Sequence, residues 1–109
     1  MPTPGTEVAL LTVDELPDGG MRHIEHMGFD LLVVKLDGKF HTLDDACTVS
    51  WAMLSEGSLD RTSRAVVCPQ CKSMFDLDTG KPKSGPAKFP LTVYETHVVG
   101  DDVIVNFTY

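Results

Sequence analysis

Three cysteines in a chain of 109 residues have the types and spacing that could do chemistry. Cys68-Pro69-Gln70-Cys71 is a Cys-x-x-Cys pair, in which both thiolates can face one metal while backbone amides point at the sulfurs. Cys47 lies well upstream and is followed by Thr48-Val49. Each half places a cysteine where a strand ends and a short loop opens, so the thiolates can converge without distorting the strands. The pattern predicts a metal or metal-cluster site at Cys47, Cys68 and Cys71. Three cysteines always leave one thiol outside any disulfide framework. That odd count suits a reducing compartment or a metal site better than a secreted scaffold. Buried core thiols, or one disulfide plus a free thiol, are the plainer alternatives.

The elements that must position these thiols read as short β-branched runs divided by Gly, Pro and Asp turns. Residues 7–12 form a first strand, stopped by Leu16-Pro17-Asp18-Gly19-Gly20, and residues 21–27 a second. Residues 29–36 form a third, and Asp37-Gly38 turns it into residues 39–43, because Asp-Gly supplies positive φ at low steric cost. The stretch 43–63 is less regular and admits a single helical turn within 52–59. Residues 64–67 deliver Cys68, and residues 74–77 lead away to Asp78-Thr79-Gly80. Three prolines and a glycine in 81–90 exclude a helix or a central strand. Residues 91–99 and 103–107 pair across Gly100-Asp101-Asp102. With no repeats and no linker, one all-β domain over 1–109 is expected, a sandwich or barrel.

The residues around the cysteines resemble the Rieske-type ferredoxins, which carry Cys-x-His on one loop and Cys-x-x-His on a second. The stretch 47–57 is similar to the first loop and 68–76 to the second. Leu36-Asp37-Gly38-Lys39-Phe40, Asp44-Asp45-Ala46, Thr79-Gly80, Ser84-Gly85-Pro86-Ala87 and Asp102-Val103-Ile104-Val105 extend the resemblance over about residues 7–107. It implies a Rieske-type β-sandwich or barrel with cluster-binding loops at about 45–57 and 67–75. The subgroup it most resembles is the ferredoxin components of ring-hydroxylating dioxygenase systems. Both family histidines are replaced here, by Val49 and by Cys71. The resemblance implies a 2Fe–2S cluster with Cys47 and Cys68 on the inner iron and Cys71 on the outer one. A fourth donor is then required: Ser50, Asp44, Asp45, water or a partner residue. A single iron or zinc on three thiolates and one oxygen, or a site without metal, are the alternatives.

The remaining residues read more plainly. His23 and His26 lie three apart on a strand and face opposite sides. His41 suits packing or the surface, and His97 faces solvent. Trp51 packs over the tip of the domain or presents an aromatic face, with packing favoured. Gly85-Pro86 matches the family's proline loop, Met53 and Met74 pack against the loops, and Asp44-Asp45 and Asp101-Asp102 are turn residues.

Sixteen acidic residues against nine basic ones give a net charge of −7, which argues against nucleic acid. It suits docking on a basic partner face, or solubility alone. No apolar run approaches a membrane span, and Met1-Pro2-Thr3-Pro4-Gly5 begins no signal peptide. A cytoplasmic monomer is expected: not an enzyme, but an electron carrier between a reductase and a terminal oxygenase or similar enzyme. A non-redox binding module on the same scaffold is the alternative.

Overall fold

The computed structural model describes residues 6–26 and 28–107. Among these residues ten strands run in chain order: β1 (Thr6–Thr12), β2 (Met21–His26), β3 (Phe29–Leu36), β4 (Lys39–Asp44), β5 (Ser58–Asp60), β6 (Ala65–Val67), β7 (Met74–Asp76), β8 (Pro82–Ser84), β9 (Val93–Val99) and β10 (Asp102–Phe107). Single 3-10 turns cover Val13–Glu15 and Leu54–Glu56. The second falls where one helical turn was expected. The first was not anticipated; it sits where the Thr12 N–H donates to Glu15 Oε2 at 2.6 Å. Met27, predicted to end the second strand, lies outside the described residues.

The strands form a six-stranded sheet in the order β1-β10-β9-β4-β3-β2 and a four-stranded sheet in the order β5-β6-β7-β8. Every pairing is antiparallel. The Asp37-Gly38 hairpin forms as expected, with φ of 53° and 77°, the left-handed pair that a two-residue turn needs. The two halves of the large sheet meet through Thr42↔Tyr94 and Leu43↔Val93. Leu11 on β1, Val33 on β3, Phe40 on β4 and Val103 on β10 share one core cluster, with Ile24 of β2 packed against it. The two edge strands therefore pack into a common core, which requires the sheet to curl on itself.

Strand β3 is buried on both faces, which explains its unbroken run Leu31-Leu32-Val33-Val34. Leu31 and Val33 face the curl. Leu32, Val34 and Leu36 face a second core with Leu43, Val66, Phe75 and Leu77, which glues the small sheet to the large one. Cys47, Leu54 and Cys68 belong to that second core. The cysteine loops thus leave from the end of a packed interface.

Two short strands and the start of a third strand were not anticipated. β5 lies in the stretch read as irregular, and β8 lies in the proline-rich stretch, at the edge of the small sheet where a Pro is tolerated. Asp102 begins β10 rather than closing the turn, pairing with Val99 and with Thr12. Asp101 stays in the turn, where its carbonyl accepts the Val13 N–H at 2.8 Å.

The far end of the first loop is pinned by a buried carboxylate. Asp45 accepts the Ser55 N–H at 2.7 Å and the Ser55 hydroxyl at 2.6 Å. Burial pushes its pKa up, and the two Ser55 bonds oppose that shift. Removing it leaves the Ser55 N–H without that acceptor, so Asp45→Ala is expected to cost about 1–3 kcal/mol in denaturant unfolding. Phe75→Ala, which empties the centre of the shared core, is expected to cost about 3–5 kcal/mol. An Asp45→Ala protein as stable as the parent would contradict the pinning role.

Candidate metal centre

Cys47 and Cys68 open their loops in the same way. The Cys47 N–H donates to Ala52 O at 3.0 Å, and its carbonyl accepts the Trp51 N–H at 3.0 Å. The Cys68 N–H donates to Ser73 O at 2.9 Å, and its carbonyl accepts the Lys72 N–H at 3.2 Å. The fifth residue of each loop sits in the left-handed region, Trp51 at φ 62° and Lys72 at φ 63°. Two hydrogen bonds and one left-handed residue therefore fold both segments into the same tight turn.

Matching turns make their positions equivalent. Cys47 corresponds to Cys68, Val49 to Gln70 and Ser50 to Cys71. The contacts across the loops are reciprocal: Cys71 Sγ lies 3.4 Å from Cys47 Sγ, and Ser50 Oγ lies 3.4 Å from Cys68 Sγ. All three sulfurs fall within 4.8 Å of one another. The sequence-predicted ligands are thus brought together, with Cys47 and Cys68 fully buried and Cys71 at the solvent side.

The proline loop closes over the second turn. A Cβ on Gly85 would stand 2.6 Å from Ser73 Cα, and its φ is +88°, so only glycine permits this approach. The approach brings the Ala87 N–H to Ser73 Oγ at 3.0 Å, and that oxygen lies 3.2 Å from Cys71 Sγ. Ser73 is fully buried and was not among the sequence-predicted site residues. Its only sequence signal is its place just after the Cys-x-x-Cys pair. As a thiol Cys71 donates to Ser73 Oγ, which also accepts the Ala87 N–H; once Cys71 is a thiolate, the Ser73 hydroxyl donates to it. That hydrogen bond is the largest cause holding the Cys71 thiol down at about 6, and contacts from Cys47 and Cys68 act in the same direction. Burial pushes Cys47 up instead.

The other candidates are engaged elsewhere. Asp44 accepts the Tyr94 hydroxyl at 2.7 Å and the Thr92 N–H at 3.3 Å. His41 is buried as a packing residue, with Nδ1 3.7 Å from Asp78, and burial lowers its pKa. His23 pairs with Asp30 at 2.9 Å; His97, half exposed as expected, pairs with Glu7 at 3.1 Å. Among the described residues no histidine or carboxylate joins the three thiols. Met53 bridges to Ala46 and Met74 starts β7, both half-buried beside the loops.

Trp51 does not pack over the tip, as favoured from sequence: it is 76 % exposed. The left-handed backbone that closes the first turn projects its side chain outward. Val49 and Phe89 are also exposed, and Thr48 donates its hydroxyl to Phe89 O at 2.9 Å. Three exposed apolar side chains, an apolar rim, thus stand on and beside the first cysteine loop of an acidic protein.

Residues 6–95 match the family model described as Rieske [2Fe-2S] domain. The 3-phenylpropionate/cinnamic acid dioxygenase ferredoxin subunit of Photorhabdus laumondii is 36% identical over 101 residues, 93% of this chain and 94% of that protein. The biphenyl dioxygenase ferredoxin subunit of a Pseudomonas species is 35% identical, over 89% of this chain and 88% of that protein. Among solved structures, the ferredoxin of carbazole 1,9a-dioxygenase from Nocardioides aromaticivorans superposes with a TM-score of 0.89 at 27% identity, covering 93% of this chain and 97% of that one.

The donor set fits iron–sulfur ligation in kind, since thiolates are the usual ligands of such clusters. It departs from the family pattern in holding no imidazole: Val49 turns an apolar side chain toward solvent at 43 % exposure, and Cys71 offers sulfur.

The Ser73 contact is the largest influence on the titration of Cys71. Ser73→Ala is expected to move the Cys71 midpoint from about 6 back toward the ordinary cysteine range, read by ultraviolet thiolate absorbance. A folded value below the unfolded one, roughly 8.5, means that Cys71 adds stability above the unfolded value. That contribution is lost as pH falls through about 6. An unchanged midpoint in the variant would remove Ser73 as the cause.

Proposed function

This chain belongs to the Rieske [2Fe-2S] domain family, and from that premise we propose that it carries single electrons through a centre held by Cys47, Cys68 and Cys71. It is an electron carrier, as the dioxygenase ferredoxin subunits it resembles are by name. The observation that carries the assignment to these residues is the convergence of three sulfurs within 4.8 Å on two matched loops. A bound iron–sulfur centre supplies reversible uptake of one electron. The chain supplies everything else: burial of Cys47 and Cys68 keeps water from the inner side, Ser73 orients Cys71, and the hydrogen-bonded turns resist movement. Little rearrangement on electron uptake is what a carrier needs.

The exposed rim of Val49, Trp51 and Phe89 gives a partner a short approach to the site. Docking there is transient in this reading, as electron-transfer encounters are small. The partners are a reductase that loads the electron and a terminal oxygenase or similar enzyme that receives it. A ferredoxin seen in complex with its oxygenase, in the carbazole 1,9a-dioxygenase system, is 31% identical to this chain with a TM-score of 0.86. We place the protein in the cytoplasm as a monomer of one domain, which its thiols and its charge suit; no helix among the described residues is long and apolar enough to cross a membrane.

One observation favours a second reading, a single metal ion. Ligand sulfurs on one tetrahedral ion lie roughly 3.8 Å apart, given metal–sulfur bonds of about 2.3 Å. The sulfur spacings here, from 3.4 Å up to the 4.8 Å limit, bracket that edge.

Anaerobically purified protein is expected to be coloured and to contain iron. Equal sulfide identifies the cluster, and iron without sulfide the single ion. With thiolate in place of imidazole, the reduction potential is expected nearer the roughly −400 mV of all-cysteine clusters than the about −150 to +300 mV of Rieske centres. It should also show no imidazole-linked pH dependence. A high, pH-sensitive potential in protein-film voltammetry would rule out this ligand set, and colourless, metal-free protein the carrier itself.

A further inference from the structure

We propose that Ser50 Oγ is the fourth protein donor of the centre, completing a tetrad with Cys47, Cys68 and Cys71. The inference rests on the reading that these three cysteines hold a metal, and it applies to either nuclearity.

The family pattern points to Val49, two residues after Cys47, but that side chain cannot coordinate and faces solvent. The geometry of the two loops points one residue further. Both turns are closed by the same pair of backbone hydrogen bonds and by a left-handed fifth residue. In the second turn the donor is the fourth residue, Cys71; in the first turn the fourth residue is Ser50. Each fourth residue then reaches across to the first cysteine of the other loop, at 3.4 Å in both cases. The first loop is thus a Cys-x-x-Ser turned toward a Cys-x-x-Cys. An approximate two-fold relation pairs the donors of the two loops, three soft and one hard.

The competing oxygens are committed elsewhere. Asp44 is held by Tyr94 and Thr92, and Asp45 by Ser55. Ser73 Oγ is buried behind Cys71 and already receives the Ala87 N–H. Ser50 Oγ receives the Ala52 N–H at 3.4 Å and otherwise faces the sulfurs of Cys68 and Cys47. As a ligand it binds as alkoxide, its proton leaving to solvent together with the thiol protons displaced by the metal.

The test compares wild type, Ser50→Ala and Ser50→Cys, purified anaerobically with their iron. Ser50→Ala is expected to surrender iron to a chelator more than roughly tenfold faster, since even an outer-shell partner is worth about tenfold or more in affinity. Ser50→Cys is expected to retain its iron and to shift the sulfur-to-metal absorption bands, which a merely structural serine would not do. Wild-type iron retention in Ser50→Ala, or wild-type bands in Ser50→Cys, overturns the proposal. If the wild type carries no iron, the electron-carrier reading fails, and Ser50 is judged on cobalt(II) added to the metal-free protein. At least roughly tenfold weaker cobalt binding by Ser50→Ala then supports it as a ligand, and equal binding overturns it.

Discussion

Four backbone hydrogen bonds, two in each loop, are what the rest of the site depends on. Each uses the N–H and the carbonyl of a cysteine, so the residue that offers the sulfur also closes the turn. The cysteine backbones are therefore not free to swing when the charge on the sulfurs changes. The turns demand a left-handed fifth residue, and neither Trp51 nor Lys72 is glycine. An L-residue in that conformation costs about 1–2 kcal/mol. The cost is met by the loops' hydrogen bonds and by the core beneath them, which fixes the donors more firmly than side-chain packing alone.

That core explains why the loops sit where they do. β3 is buried on both faces, and one face joins the curled sheet to the small one. Cys47 and Cys68 are counted among the buried residues of that interface, so two of the thiols are part of the structure they stand on. Ser73 and Gly85 extend the same logic to the solvent side. Gly85 lets the proline loop press on the second turn, and the pressure delivers the Ala87 N–H that sets the direction of the Ser73 hydroxyl. A glycine fourteen positions downstream of Cys71 thereby supports the contact that Ser73 makes with its sulfur.

Much of the scaffold was legible because its signals are local. Asp37-Gly38 declares its hairpin, residues 29–36 declare a strand, and the Cys-x-x-Cys pair declares a site where two thiols can face one metal. What escaped is held together from far away. β5 and β8 are three residues each, too short to carry a period, and exist because β6 and β7 offer them edges. Ser73 is an ordinary serine until Gly85 brings the proline loop against it. The exposure of Trp51 follows from a backbone angle that no composition reveals, and it reverses the packing that its size suggests. Ser50 was one of several candidate donors in the sequence. Only the equivalence of the two turns, together with the hydrogen bonds that occupy Asp44 and Asp45, separates it from the others.

The apolar rim follows from the same turns. A tryptophan 76 % exposed beside an exposed valine and phenylalanine gains little from burial, and its strained backbone costs stability. Nothing in the core needs that side chain. In the proposed carrier it has a use, because a partner that covers the exposed apolar side chains beside the cysteine loops expels water from them. With water removed, the local dielectric falls and the path between centres shortens. The acidic remainder of the surface, at a net charge of −7, acts at longer range and favours partners that present positive charge. In the proposed docking the two features divide the work by distance: charge would gather a partner, and the small apolar tip would set which point of the protein it meets.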